Sequence, residues 1–292
     1  MASDFLIIGH RGARGLYPEN TVEGFQAALA LGVSCFEIDI AVTADDVPVL
    51  YHDLLLNPDI TREAGGHWLG QPGPPIRAFR LTELAQFDVG RIRPGSGYAA
   101  RYPIQHPFDG ARIPTLAAVL ETAPKAWFAI ELKTDPTRPE LTVSGPEMAE
   151  RVVAVAAAAD ALGRICVQSF DWRGPRHLGK VAPRIARAWL TEPKTVAATQ
   201  TWWGVEKGDR SVAQAVADEG GGVWTPENGS LERAAVAEAR DLGLKVIPWT
   251  VNEPEDMVRL RNWDAAGLIS DRPDVALVAL GRAGASAGHS SA

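Results

Sequence analysis

Cys35-Phe-Glu-Ile-Asp-Ile40 is a short, largely apolar run with two carboxylates towards its end, and the chain repeats that pattern. Phe5-Leu-Ile-Ile-Gly9 leads into His10, Val47-Pro-Val-Leu-Tyr51 into His52, and Trp127-Phe-Ala-Ile130 into Glu131. Short apolar runs read as buried strands. Ionisable groups gathered at strand ends point to a site where a parallel barrel opens to solvent.

Working outward from this stretch, strand-like runs fall at 5–9, 35–40, 127–132, 165–169, 185–190, 222–225, 244–249 and 267–270, mostly separated by helical signals. Alternating strands and helices imply a parallel α/β sheet, and eight units imply a closed (β/α)₈ TIM barrel. The competitor is an open doubly wound sheet, but no Gly-rich dinucleotide fingerprint follows the first run. Asn20-Thr-Val-Glu23 reads as a capping box with Asn20 taking free backbone N–H groups, and Val22, Phe25, Ala28 and Leu29 then mark one apolar face. Asn252 and Asp271, each shortly before a proline, are expected to cap helices rather than to act in chemistry.

The alternation breaks between Asp53 and Pro114, a Gly- and Pro-rich stretch with one convincing short helix around 81–87. Long irregular segments in compact domains usually carry a role, so this one is expected to be a small insertion covering the barrel mouth after the second barrel unit. The organisation expected is one catalytic domain over residues 1–280, with the insertion at about 53–114, and a disordered tail over 281–292.

Hydrophobic residues make up 46% of the 292-residue chain and charged residues 22%, an ordinary globular balance. The net charge of -7 and the absence of a basic run argue against a nucleic-acid partner. No apolar stretch is long enough to span a bilayer, so stable membrane insertion is not expected. The N-terminal residues lack a signal peptide's basic and apolar regions, and a cytoplasmic location is the expectation. Cys35 and Cys166 read as buried thiols, not a disulfide framework.

Glu37 and Asp39, two residues apart in a strand, face the same way. Two inward acids cannot stay charged and unpaired without a large penalty, and one divalent cation, Mg²⁺ or Ca²⁺, resolves the conflict, with Glu131 as a third oxygen ligand. Salt bridges to Arg or Lys are the structural alternative. Arg11 and Lys133 add positive charge suited to phosphate. Symmetric pairing about the turn at 43–46 would set His52 opposite Glu37, bringing it to His10 at the same site. Two imidazoles beside a metal–phosphate site suit a general acid and a general base. Trp172 and Trp249 are placed to contact a leaving group, or to pack as aromatic core.

The series His10-Arg-Gly12, Pro18-Glu-Asn-Thr21, Glu37-Ile-Asp39, Val49-Leu-Tyr-His-Asp53, Glu131-Leu-Lys133, Gln168-Ser-Phe170 and Trp249-Thr-Val-Asn252 resembles the glycerophosphodiester phosphodiesterase family along most of the chain. The resemblance implies a barrel with a small inserted subdomain, a divalent cation on Glu37, Asp39 and Glu131, phosphate held by Arg11 and Lys133, and His10 and His52 as the acid–base pair. Glu19, Asn20 and Trp249 are then candidates for second-layer or substrate contacts. The expected reaction hydrolyses a small glycerophosphodiester to glycerol 3-phosphate and an alcohol, with His10 favoured as acid and His52 as base.

Three other readings compete. A lysophospholipase D or sphingomyelinase D-like enzyme would keep the core but need an apolar channel, for which Trp68, Trp202 and Trp203 are candidates; long-chain substrates would distinguish it. A binding module would leave its ligand unaltered, and a purely structural site would bind no metal. The residues do not fix an oligomeric state.

Overall fold

The computed structural model describes residues 5–282. Within it all eight expected strand regions form: β1 (Leu6–His10), β2 (Cys35–Val42), β4 (Trp127–Leu132), β5 (Ile165–Ser169), β6 (Ala186–Thr191), β7 (Val223–Pro226), β8 (Lys245–Val246) and β9 (Gly267–Ser270), with β3 (Pro48–Leu50) as a short antiparallel addition to β2. The parallel order is β8-β7-β6-β5-β4-β2-β1-β9. Backbone bonds from Ala266 N to Val246 O (2.8 Å) and from Ile269 N to Pro248 O (2.9 Å) link the two ends of the sheet. With helices around it, this is the (β/α)₈ TIM barrel.

Strand alternation explains why the site lies at one end. Phe36, Ile38 and Ile40 of β2 and Phe128, Ile130 and Leu132 of β4 join the core formed with Phe25, Leu116 and Val119 of the surrounding helices. Phe25 meets Phe36 and Phe128 edge to face, with centroids 5.3 and 6.3 Å apart. A second core pairs Trp189, Trp224 and Leu268 with Val216, Val236 and Leu260. A third, smaller cluster holds Ile8, Ile247 and Ile269. The alternate positions near the strand ends are Glu37, Asp39 and Glu131, all buried.

The loop after β1 needs glycine for space. A Cβ on Gly9 would lie 1.9 Å from the backbone oxygen of Gly12. Arg11 and Gly12 follow with φ of 54° and 97°, the first an uncommon backbone region for a non-glycine residue. Gly9→Ala is expected to push this loop out of place and to cost about 1–3 kcal/mol. An unchanged urea midpoint would show that the loop can absorb the methyl group.

Residues 53–114 include the helices Leu81–Leu84 and Gly97–Arg101 and seat Leu56, Ile60, Ile76, Leu84 and Phe87 against Ala41, Val49 and Tyr51. The expected helix around 81–87 thus ends sooner, at Leu84. Among the described residues no helix is long and apolar enough to cross a membrane. Cys35 and Cys166 are free and half-buried rather than fully buried. The expectation of a disordered tail lies, beyond residue 282, outside the described residues.

Four local expectations are corrected. Thr21, not Asn20, caps the helix Val22–Ala30, accepting from Gly24 N, because Asn20 adopts φ 53° and turns its amide to Asp39. The residues at the caps of the helices Pro254–Asn262 and Pro273–Ala279 are Glu253 and Arg272. Asn252 and Asp271 instead bind each other, side by side after the adjacent strands β8 and β9. In the hairpin Ile40 pairs with Leu50 and Val42 with Pro48, so His52 would continue opposite Ile38, not Glu37. The strand stops at Leu50, and the chain leaves the ladder before His52.

Candidate active site

The carboxyl ends of the strands surround a pocket of about 420 Å³ lined by His10, Arg11, Glu37, His52, Glu131 and Lys133. The register places Asp39 beside Glu131, and His10 beside Glu37. One ligand-type oxygen from each of Glu37, Asp39 and Glu131 lies within 4.8 Å of the others. Glu37 Oε1 and Asp39 Oδ1 are buried with no hydrogen-bond partner. Burial, then Asp39 and Glu131, push the Glu37 carboxyl well above its usual range. Burial would raise Asp39 too, but Arg11, His52 and Lys133 outweigh it and hold that carboxyl below the usual range. Three clustered acids, two of them with an orphaned oxygen, form a donor set suited to a hard divalent cation.

The cations are braced from behind. Arg11 donates to Glu19 Oε1 at 2.8 Å, and its Nε lies 3.1 Å from Asp39 Oδ2. Asn20 donates to the same Asp39 oxygen at 2.8 Å. Lys133 Nζ is 2.6 Å from Glu131 Oε1 and 3.6 Å from Asp39 Oδ1. These contacts place Glu19 and Asn20 behind the pocket wall, while Trp249 lines the pocket itself. Trp172 is fully buried and stacks on Trp203 with centroids 3.9 Å apart, so both are core residues. Trp202 reaches the pocket, whereas Trp68 lies over Arg62 in the 53–114 segment.

Each histidine is gripped through Nδ1. His10 Nδ1 lies 2.6 Å from Asp271 Oδ1 and its Nε2 lies 3.6 Å from Glu37 Oε2. His52 Nδ1 lies 2.7 Å from Asp53 Oδ1, and Asn57 donates to the other Asp53 oxygen at 2.7 Å. Burial, then Arg14, lower His10 to about 4. Burial, then Arg11 and Lys133, lower His52 also. A neutral imidazole that donates from Nδ1 to a carboxylate keeps Nε2 as its proton acceptor.

Asp271 was the chief residue misread from sequence. Besides His10, it accepts from Arg14 Nε at 2.8 Å, Asn252 at 3.0 Å and the Tyr102 hydroxyl at 3.3 Å. Arg14 also donates to the Tyr98 hydroxyl, which itself bonds Glu19. The available signal was positional: Asp271 directly follows the last strand, as Arg11 follows the first. Burial would raise the Asp271 carboxyl, but His10 and Arg14 hold it below the usual range. A depressed acid stabilises the fold above its unfolded pKa and loses that contribution as pH falls through its folded pKa. Asp271→Asn is therefore expected to cost about 3 kcal/mol at pH 7, because partners stay buried. The gap to wild type should narrow as pH falls below about 4. Urea midpoints across that range provide the check, and a pH-independent gap would contradict the ion-pair account.

A TIM barrel whose mouth joins an acidic triad, phosphate-type cations and two clamped histidines defines an enzyme class, the phosphoric diester hydrolases. The chain belongs to the glycerophosphoryl diester phosphodiesterase family, whose model matches residues 10–275. It is 27% identical over 285 residues to a glycerophosphodiester phosphodiesterase of Bacillus subtilis, covering 92% of this chain and 84% of that one. A glycerophosphodiester phosphodiesterase of Caldanaerobacter subterraneus is 26% identical over 276 residues, covering 92% and 95%. A Silicibacter pomeroyi crystal structure, provisionally named a glycerophosphoryl diester phosphodiesterase, superposes with a TM-score of 0.87 at 34% identity, covering 96% and 94%. An Oleispira antarctica phosphodiesterase in complex with its product sn-glycerol-3-phosphate shares the fold, with a TM-score of 0.72 at 22% identity and coverage of 94% and 96%.

Proposed function

We propose that this phosphodiesterase hydrolyses glycerophosphodiesters to glycerol 3-phosphate and an alcohol, using His10 and His52 as the acid–base pair and one divalent cation, Mg²⁺ or Ca²⁺, on Glu37, Asp39 and Glu131. The observation that carries the reading is the juxtaposition of those three carboxylates, within 4.8 Å of one another, with two histidines whose Nδ1 atoms are already committed. When bound, the cation supplies charge that polarises phosphoryl oxygens. Arg11 and Lys133 hold the phosphate and spread the charge that develops on it.

Asp271 and Asp53 fix the two rings so that their Nε2 atoms are the proton-handling ends. We assign His10 as the acid that protonates the departing alkoxide and His52 as the base that takes a proton from the nucleophile, with one water consumed overall in forming glycerol 3-phosphate. Burial, then Arg14, lowers His10, and the negative charge that a phosphodiester brings into the pocket is what would favour its protonated form. The product in the Oleispira complex, sn-glycerol-3-phosphate, is the one this reaction would leave. Of the three tryptophans offered for a lipid channel, Trp203 is wholly inside the core and Trp68 lies over Arg62, while Trp202 lines the pocket.

Phosphorus NMR of glycerophosphocholine incubated with the purified protein tests the proposal. Glycerol 3-phosphate should appear with Mg²⁺ or Ca²⁺ and not with chelator. A substrate peak that persists with both ions, while a lysolipid is cleaved, would move the assignment to the lysophospholipase D-like reading.

A further inference from the structure

Gln168 has no part in the chemistry above, yet it sits in the site. It is 1% exposed, lines the pocket and leaves Oε1 without a hydrogen-bond partner. The strand register runs from Asp39 to Glu131 to Gln168 and on to Ala188, so the amide stands in the same row as two of the acids. Leaving such a group buried and unpaired costs on the order of 1–3 kcal/mol. The next position in the row, Ala188, avoids that cost with an apolar side chain.

The chemistry of the missing partner can be narrowed. An amide end accepts or donates according to which way the group is turned. An ammonium can serve only the oxygen, and a carboxylate only the nitrogen. A hydroxyl serves either. Thr134 Oγ1, also on the pocket wall, is a second buried oxygen with no partner. Phe170 and Trp249, edge to face with centroids 5.4 Å apart, supply an apolar border to the same wall. A polyol carbon chain presents both of these surfaces, C–H and O–H.

We propose that Gln168 is a specificity-determining residue that reads a free hydroxyl on the glycerol moiety beside the phosphate. The inference rests on the phosphodiesterase reading above and adds the group by which the enzyme tells glycerol from a plain alcohol. A site built to bond a hydroxyl rejects the analogue that lacks it, since the amide is then left unpaired.

The test compares kcat/KM for glycerophosphocholine with two analogues, one lacking the glycerol 2-hydroxyl and one lacking the terminal hydroxyl, in wild type, Gln168→Leu and Gln168→Met. Wild type should discriminate against at least one analogue by about 10–100-fold. Both variants should lose that ratio, because turnover of glycerophosphocholine falls towards that of the analogue. Two variants are used so that a folding defect in one, seen by circular dichroism, leaves the comparison intact. Wild-type ratios retained in a folded variant would overturn the role of Gln168, as would a wild type indifferent to both hydroxyls. Failure of wild type to cleave any of the three esters would instead overturn the phosphodiesterase reading itself.

Discussion

His10→Ala is expected to lower kcat by about 10²–10⁴-fold while leaving cation affinity close to that of wild type. The ring is held at Nδ1 by Asp271 at 2.6 Å, and its Nε2 lies 3.6 Å from Glu37 without belonging to the acidic triad. On the proposed assignment, removing it takes away a proton-handling group and no cation ligand. Steady-state rates on glycerophosphocholine and calorimetric titration of Mg²⁺ or Ca²⁺ separate the two effects. Wild-type turnover in the variant would remove His10 from the acid–base pair, and a parallel loss of cation binding would make it a support of the triad instead.

Glu37→Gln should produce two changes of opposite sign. Burial and the nearby Asp39 and Glu131 make the charged form of Glu37 costly in the absence of a cation. The neutral amide relieves that repulsion, so the variant should melt above wild type when both are measured in chelator. The same substitution removes a proposed cation ligand, so the rise in melting temperature expected of wild type with Mg²⁺ or Ca²⁺ should be lost, along with activity. For wild type, cation at about 100 times its Kd would add roughly 2.7 kcal/mol. A variant destabilised in chelator, or one that still responds fully to cation, would contradict this account of the triad.

The architecture was readable because each barrel strand is a self-contained apolar run and because ionisable groups sit at several of their ends. His10, Glu37, Asp39 and Glu131 could be grouped at one mouth by that rule alone. Asp271 follows the rule as well, but the Pro273 that follows it offered a local explanation as a helix cap. Its actual partner, His10, is 261 positions away, and no spacing pattern connects them. Asn252 was misread for the same reason. The hairpin register was missed by one residue, enough to place His52 opposite the wrong face of β2. Tyr98 and Tyr102 were harder still. They lie in a segment without regular periodicity, and only the folded path of residues 53–114 carries their hydroxyls to Glu19 and Asp271. Gln168 was visible as part of a motif, whereas its lack of a partner is a property of packing.

The pairing of β1 with β9 has a consequence for how the protein is made. His10 leaves the ribosome well before Asp271, which lies 261 positions later. The aspartate that orients this imidazole therefore docks only after the intervening barrel strands have been made. A nascent or prematurely terminated chain lacks that clamp, however well its leading segments have collapsed, so competence at His10 and completion of the barrel arrive together.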